Sequence, residues 1–499
     1  MITPYPHQME FINNIRSAMS NNKYIVGQAF TGFGKSYASA YIIDQALKKG
    51  KRVFFTIHLK ELKRQTALSL TSCGIDYGFI ASGEKTDYAK PCQLVMAGTA
   101  MNRLDEMPEP DLVIIDEAHL ACSDNYTKLI EHWKSQGAYI IFLTATPWRL
   151  DGTGLSKIAD DMVLSKPVDW LIENKFISTF RYFAPVTADF TGVDRVGGDY
   201  VNSQASEVME KPAIVGDVIR IYKDNCTGKR TIAFCCSIAH SKKMASEFNI
   251  AGIPAAHIDA STPDEERKRI INDLADNKIL VLCNFSIVTT GFDLAAQVGR
   301  EVTVDVVFLL RRTMSLSLYL QMVGRALRAK DYAALIFDFC GNAILNGIVN
   351  HGLPDAPREW TLDGRVRNKK PKEEADILVK QCPNCFACSH PSPCCPECGH
   401  IYEIVERKIE HKAGELVEIT AEQAEKKQNR MNQGNAKTVQ DLVNTGMARN
   451  RAIHIVKSRE VKEALQNELA ELCDFSVNKI RQMKPKELKK YIEEFKNEQ

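Results

Sequence analysis

The sequence lacks an excess of charge of one sign, and it lacks any long apolar run. Lysine and arginine number 64 against 62 aspartates and glutamates, so the formal net charge is +2. A nucleic-acid partner would therefore need a local basic surface, because bulk charge supplies no attraction. The longest apolar runs, such as 138–143, fall far short of the ~20 residues of a membrane-spanning helix. The N-terminus, MITPYPHQME, has proline and histidine where a signal peptide needs a basic start and an apolar stretch. We expect a soluble intracellular protein without a membrane partner.

The chain is also too long for one hydrophobic core, and it shows no internal repeat. Such cores stop growing near ~250–300 residues, and this chain has 499. Short continuous apolar runs recur in two blocks, and the clearest are Leu112–Ile115, Thr231–Cys235 and Val306–Leu310; a further run lies at 279–282. Runs of this kind are typical of strands buried on both faces of a parallel sheet. The pattern predicts an α/β fold with two tandem parallel-sheet domains.

A pattern typical of a phosphate-binding loop follows the first predicted strand and precedes a helical stretch at 37–49. Its residues are Ala29, Phe30, Thr31, Gly32, Phe33, Gly34, Lys35 and Ser36. Small residues let backbone N–H groups wrap the phosphates of ATP, Lys35 would reach the β- and γ-phosphates, and Ser36 would place its hydroxyl on Mg²⁺. The alternative is a glycine-rich turn before a helix, but the strand–loop–helix context favours the phosphate site.

An acidic pair, Asp116 and Glu117, follows the predicted strand Leu112–Ile115, and Ala118 and His119 complete the box. The carboxyl ends of parallel strands are where α/β proteins bind ligands. Asp116 would hold Mg²⁺ through water, and Glu117 would orient and polarise the attacking water in phosphoryl transfer. The alternative is a surface N-cap for the next helix.

Lys35, the Asp116–His119 box and the run from Thr144 to Pro147 occur in an order that resembles superfamily 2 helicases of the DEAH-box type. The continuation at 148–152 is similar to bacterial and phage helicases related to the repair helicase XPB. The resemblance covers roughly residues 3–365. It implies two RecA-like domains, ATP hydrolysis in the cleft between them, and coupling of that site to nucleic acid through Thr144, Thr146 and His119.

Other residues acquire roles through this resemblance. Gln8 matches the glutamine that reads adenine, since its amide can donate and accept on one base edge; the alternative is a polar residue near a helix start. Residues 56–65 and Thr99 resemble contacts to nucleic-acid phosphates, although each fits a helix N-cap equally well. The run at 289–293 resembles a motif that touches both nucleic acid and nucleotide, with a glycine turn and helix cap as the alternative. Within this run, Thr289 and Thr290 would contact nucleic acid, and Gly291 and Asp293 would contact the nucleotide.

The run at 321–328 resembles the helicase motif that faces the phosphate loop across the cleft. Arg325 and Arg328 are three residues apart, so we expect both on one helix face. They would act as arginine fingers on the γ-phosphate, and Gln321 would contact the nucleotide or its water. The alternative is a basic amphipathic surface helix. Since Lys35 and Arg325 lie in different domains, hydrolysis would require the cleft to close.

Two Cys-x-x-Cys pairs lie close together, and they are Cys382, Cys385, Cys395 and Cys398. Each pair directs two sulfurs at one metal ion, and Zn²⁺ is the usual occupant of a structural four-thiolate site. Cys388 and Cys394 are surplus and could replace a ligand. A redox pair, disulfides or an iron–sulfur cluster are the alternatives.

The expected organisation is an ATP-binding domain (1–165), a bridging segment (166–205), a second RecA-like domain (206–360), a basic linker (361–380), a zinc ribbon (381–402) and a helical tail (403–499), with a break at 432–435. We expect an ATP-dependent helicase or translocase in the cytoplasm of a bacterial or phage-infected cell. DNA is favoured over RNA because similar helicases act in replication, recombination or repair, and the tail could bind a protein partner. The alternatives are an ATPase that remodels or anneals branched DNA without processive unwinding, and an ATP-gated scaffold.

Overall fold

The computed structural model describes residues 3–58, 60–150, 152–185, 188–286, 294–300, 302–345, 348–364, 379–402, 438–444, 448–472, 488–489 and 491–493. The chain divides into two compact units, Met1–Glu403 and Ile404–Gln499. The first unit contains both predicted sheets.

The first sheet has seven parallel strands in the order β3-β4-β2-β5-β6-β1-β7. They are β1 (Tyr24–Gln28), β2 (Val53–Ile57), β3 (Gly78–Ile80), β4 (Cys92–Met96), β5 (Leu112–Ile115), β6 (Tyr139–Thr144) and β7 (Asp161–Leu164). The helices are α1 (Pro6–Ala18), α2 (Lys35–Leu47), α3 (Lys60–Ser72), α4 (Ala97–Ala100), α5 (Asp124–Ser135) and α6 (Val168–Glu173). All five residues of β2 are buried, as a strand covered on both faces requires.

The second sheet has eight strands in the order β12-β13-β11-β14-β15-β8-β19-β18. They are β8 (Phe180–Phe183), β11 (Thr231–Cys235), β12 (Ala255–Ile258), β13 (Val281–Asn284), β14 (Val306–Leu310), β15 (Ala334–Asp338), β18 (Lys380–Gln381) and β19 (Ala387–Ser389). Its helices are α7 (Asn202–Met209), α8 (Pro212–Asn225), α9 (Ile238–Ile250), α10 (Asp264–Ala275), α11 (Leu294–Val298) and α12 (Leu316–Gly324). Two hairpins stand apart from this sheet: β9 (Arg195–Val196) with β10 (Asp199–Tyr200), and β16 (Ile344–Leu345) with β17 (Ile348–Val349).

The two sheets confirm the predicted α/β class of tandem parallel-sheet domains. One strand differs in position, since the run at 279–282 enters the sheet only at Val281. The Ile279 N–H still bonds to the Asp273 carbonyl at the end of α10, at 3.1 Å, so it is not available to the sheet.

The cysteine segment belongs to the edge of the second sheet. Strand β19 pairs antiparallel with β8, which in turn pairs parallel with β15. Arg181 of β8 also forms an ion pair with Glu397 at 2.6 Å. The cysteine segment therefore extends this sheet.

In the second unit, the structure describes α13 (Val439–Asn444) and α14 (Arg449–Leu472). The predicted break at 432–435 and residues 365–378 of the predicted linker lie outside the described residues. Of the helices that the structure describes, none is both long enough and apolar enough to cross a membrane.

Candidate functional site

The phosphate-binding pattern forms a tight loop between β1 and α2. Gly32 and Gly34 have φ values of 99° and 88°, a left-handed conformation that side-chain-bearing residues rarely adopt. The Lys35 ammonium donates to the Ala29 carbonyl across the loop at 3.0 Å. Exposed Ser36 follows on the first turn of α2. The loop therefore has the shape of an anion-binding site, and its bond to Ala29 holds the Lys35 ammonium against the loop.

Gln8 packs directly against this loop. Its Nε2 donates to the Phe33 carbonyl at 2.9 Å, and its Oε1 accepts from the Tyr5 N–H at 3.0 Å. A Cβ on Gly34 would lie 2.5 Å from Gln8 Nε2, so this contact also requires glycine. A second amide hydrogen and a second lone pair of Gln8 remain for a base.

The acidic box lies at the carboxyl end of β5. Glu117 is a buried non-glycine residue with φ 49°, and such backbone strain clusters at functional sites. The Asp116 carboxylate accepts the Glu117 N–H at 2.9 Å. Burial, followed by the charge of Glu117, raises the pKa of Asp116 to about 6, although Lys35 opposes this. A carboxylate that is costly to ionise in this way fits a Mg²⁺ site, because a divalent cation would stabilise its charge.

His119 links the acidic box to the turn after β6 and to the second sheet. Its Nδ1 lies 3.1 Å from Thr144 Oγ1, and its Nε2 lies 3.2 Å from Ser317 Oγ on α12. Thr144 Oγ1 donates to the Thr146 carbonyl at 2.8 Å, so we infer that His119 Nδ1 carries the proton and that Nε2 accepts from Ser317. Burial, followed by the Lys35 charge, lowers the pKa of His119 to about 4, which keeps the ring neutral as this chain of bonds requires.

Helix α12 of the second sheet closes over the acidic box and the phosphate loop. Gln321 Nε2 donates to Glu117 Oε2 at 3.2 Å, in a buried position. A Cβ on Gly324 would lie 2.7 Å from Thr31 Cγ2, so α12 touches the loop itself. The structure thus brings Thr31, Glu117 and Gln321, which the sequence predicted, to one cleft.

The prediction that Arg325 and Arg328 share one helix face is wrong. Helix α12 ends at Gly324, and Arg325 is its C-cap. The next N–H groups bond to the carbonyl three residues back instead of four, as in Ala326 to Val323 at 3.1 Å. The chain here therefore has the tighter turn of a 3₁₀-helix and leaves the α-helix. Arg328 then forms an isolated bridge with Ile177. Arg325 is buried beside the loop-contacting end of α12, and its role as a finger stays a prediction.

The other predicted contacts are Thr99 and four positions outside the described residues. Thr99 lies within the four-residue α4, and its hydroxyl accepts the Ser82 N–H at 3.2 Å. The positions Thr289, Thr290, Gly291 and Asp293 lie outside the described residues.

Ser317 was not predicted as a residue of the cleft, and His58 was predicted only as part of the run 56–65, as a contact to nucleic acid. His58 Nε2 lies 2.9 Å from the Asp116 carbonyl, and the ring stacks on Tyr126. Burial lowers the pKa of His58 to about 4, so the neutral ring donates to this carbonyl. Only contacts between distant parts of the chain reveal that both residues lie beside the acidic box.

The four cysteines of the two pairs converge, since their sulfurs all lie within 4.8 Å of one another. The Cys382–Cys398 and Cys385–Cys395 sulfurs are each 3.6 Å apart. A tetrahedral ion with bonds of ~2.3 Å implies sulfurs about 3.8 Å apart, whereas a disulfide would need ~2.05 Å. The cluster therefore fits one four-thiolate metal ion.

The surplus cysteines do not join this cluster. Cys388 lies in β19 opposite Tyr182, and burial raises the pKa of its thiol to about 12. Cys394 is exposed. The group of four predicted ligands is complete without them.

Comparisons with known proteins agree with this geometry. Residues 1–149 match the family of type III restriction enzyme res subunits, and residues 210–330 match the helicase conserved C-terminal domain. A 51.5 kDa protein of a Lactococcus phage is 33% identical over 384 residues, which cover 76% of this chain and 78% of that protein. A Saccharomyces cerevisiae protein assigned as an ATP-dependent helicase, IRC3, is 27% identical, over 66% of this chain and 50% of its own length.

The solved structure of the type ISP restriction-modification enzyme LlaBIII, an ATP-dependent enzyme bound to DNA, shares the fold. Its TM-score is 0.51 at 16% identity, over 70% of this chain and 29% of that enzyme. This chain thus spans about half of the yeast relative and less than a third of the restriction enzyme.

The fold, the cleft and these matches define an ATP hydrolase of the helicase type. The chain belongs to the superfamily 2 helicases, with a type III restriction (res) domain followed by a helicase C-terminal domain. The predicted superfamily is confirmed.

Proposed function

We propose that the protein is a DNA helicase or translocase of the DEAH-box type, similar to bacterial and phage relatives of XPB, that hydrolyses ATP between its two sheets. The observation that carries the proposal is the buried bond between Gln321 and Glu117 at 3.2 Å. This bond connects Glu117, which would orient the attacking water, to a helix of the other half. An active site of this kind is complete only when the cleft is closed, so hydrolysis can be converted into relative motion of the halves.

We propose the following roles for residues of the first half, and their positions around the phosphate loop and the acidic box support them. Lys35, Ser36 and the loop glycines Gly32 and Gly34 would bind the phosphates, with Thr31 beside them and Gln8 at the base. Asp116 would hold Mg²⁺ through water, and that ion would neutralise charge on the phosphates. Glu117 would orient the water.

Across the cleft, Gln321 would position Glu117, and Arg325 and Arg328 would stabilise charge at the γ-phosphate in the transition state. Gly291 and Asp293 would complete the nucleotide site, while Thr99, Thr289 and Thr290 would contact phosphates of the nucleic acid. Contacts of this kind carry no sequence information, so we expect low sequence specificity.

His119, Thr144 and Thr146 would couple the two sites. Their hydrogen bonds run from Ser317 in the second half to the Thr146 carbonyl in the first. A change in cleft closure therefore reaches the turn after β6 through three short side chains.

DNA is the proposed track, in replication, recombination or repair. The support is the sequence resemblance to helicases of DNA repair, and the similar restriction enzyme is likewise described as bound to DNA. We propose one structural Zn²⁺ held by Cys382, Cys385, Cys395 and Cys398, and a tail beyond residue 403 that recruits a partner. The domain limits given above are part of this proposal.

The test is the ATPase rate of the full chain with single-stranded, duplex and forked DNA, and with the same set in RNA. Glu117→Gln serves as the control, because the amide keeps the shape but cannot polarise water. Strong stimulation by DNA with little by RNA supports the proposal, and equal rates with and without any nucleic acid contradict it. Strand displacement beside triplex displacement then separates unwinding from translocation without unwinding.

A further inference from the structure

Two segments that are distant in sequence meet beside the cleft. The first, residues 148–150 and 152–156, follows the coupling turn at Thr144–Thr146, and we call it the cleft loop. The second, residues 360–364, follows the second sheet, and we call it the return strap. The Leu155 and Ser156 N–H groups donate to the Leu362 carbonyl at 2.8 and 3.0 Å. The strap is therefore bonded to the first half through its backbone.

Two glycines make this approach possible. A Cβ on Gly154 of the cleft loop would lie 2.0 Å from the Leu362 carbonyl oxygen. Gly364 of the strap has φ 104°, and its Cβ would lie 2.4 Å from the Gly152 carbonyl oxygen. The two backbones are thus closer than any side-chain-bearing residue would allow at either position.

Side chains lock the same contact. Trp148 and Trp360 pack edge to face with ring centroids 4.7 Å apart, and Trp148 Nε1 donates to the Thr361 carbonyl at 2.9 Å. Leu362 packs on the apolar cluster of the first sheet that contains Trp133. The return strap therefore holds the cleft loop through side-chain contacts as well as through the backbone.

The path of the chain makes the strap a tether. Strand β15 precedes the strap, strands β18 and β19 follow it, and all three belong to the second sheet. The strap thus starts from the second half, bonds to the first, and the chain then returns to the second. Opening the cleft would strain or detach this contact on its N-terminal side, because the residues just before the strap are bonded to the second half. Arg358 donates to the His351 and Leu353 carbonyls, and Tyr319 of α12 donates to the Gly352 carbonyl at 3.0 Å.

We propose that the return strap is a positioning element of the ATPase that favours the closed cleft by holding the cleft loop. Trp360 and Gly364 then act through Thr144 and His119, without touching nucleotide. The inference rests on the proposed function, since nucleic acid bound across both halves would favour the same closed state. Loss of the strap should therefore matter most when no nucleic acid is bound.

The experiment compares Trp360→Ala, Trp360→Phe and Gly364→Ala in the full chain. The measured quantity is the ratio of kcat with saturating nucleic acid to kcat without it. Losing the aromatic pair should lower the unstimulated kcat about fivefold, while saturating nucleic acid restores the rate to within about twofold, so the ratio rises. Trp360→Phe keeps an aromatic edge and should behave as the wild type, whereas Gly364→Ala should resemble Trp360→Ala. The exposed neighbour Glu359→Ala is the matched control.

A structural lesion would lower both rates by the same factor and leave the ratio unchanged, which would overturn the inference. An unchanged ratio in both Trp360→Ala and Gly364→Ala would do the same. If the wild type itself shows no ATPase activity or no stimulation, the proposed function fails first, and the two failures are thereby distinct.

Discussion

Ser317→Ala removes one contact that exists only while the cleft is closed. The Ser317 hydroxyl donates to His119 Nε2 at 3.2 Å, and Ser317 is 7% exposed. Alanine leaves this nitrogen without a donor and adds no bulk. The acceptor on the ring is then desolvated and unsatisfied, whereas in the open cleft water can bond to it.

The cost of an unsatisfied buried acceptor is about 1–3 kcal/mol. Because the cost falls on the closed state alone, it adds to the barrier for hydrolysis. At about 2 kcal/mol, kcat falls roughly 30-fold. ATP affinity should change little, since the loop that carries Lys35 and Ser36 is untouched.

The assay is steady-state hydrolysis at saturating ATP, with ATP binding measured separately in each variant. A double-mutant cycle with His119→Ala isolates the pair, because Ser317→Ala should cost much less once the ring is gone. An unchanged kcat in Ser317→Ala, or an equal loss in the His119→Ala background, would refute the assigned contact.

Three further predictions use other parts of the molecule. Lys35→Ala should abolish hydrolysis, and substantial turnover in that variant would remove Lys35 from the site. Metal analysis should find about one zinc per chain, lost when Cys382 and Cys398 are replaced by serine; finding none in the wild type would leave four ordinary thiols. Three histidines have pKa values that desolvation lowers to about 4, so the unfolded chain takes up protons first as the pH falls below ~6.5. They are His58, His119 and His240. Stability should be complete above that pH and fall by about 3 kcal/mol between pH 7.5 and 5.5, because the raised pKa of Asp116 offsets part of the loss from the histidines. Urea unfolding measures this change, and a flat profile would contradict the desolvation of these rings.

The strands that the sequence predicted best are those with uninterrupted apolar runs. Leu112–Ile115, Thr231–Cys235 and Val306–Leu310 have their predicted bounds, because burial on both faces demands apolar residues at every position. Strand β4 (Cys92–Met96) did not stand out, since Gln93 interrupts the run. That side chain is fully buried, and its amide donates to the Asp87 and Lys90 carbonyls, a compensation that no local pattern reveals.

The site residues also fall into two groups: those that a local motif predicts and those that only long-range contacts reveal. Motif spacing predicted Lys35, Glu117 and the four cysteines as site residues, because each motif is a short local arrangement of side chains. The structure places Glu117 in the cleft and the four cysteines in one cluster. It did not identify Ser317, whose partner His119 is 198 residues away in the chain. The prediction that Arg325 and Arg328 share a helix face was wrong for a related reason. Helix α12 ends at Gly324, where it contacts Thr31 of the other half, and a local pattern does not show this contact.

The central claim is that hydrolysis needs residues of both halves, and Arg325→Ala tests it most directly. Arg325 directly follows the end of α12 that touches the phosphate loop. An arginine finger contributes ~10³-fold or more to kcat. We expect Arg325→Ala to bind ATP as the wild type does and to lose about three orders of magnitude in kcat, with or without nucleic acid. A variant that hydrolyses ATP at the wild-type rate would confine the active site to the first half and contradict the account.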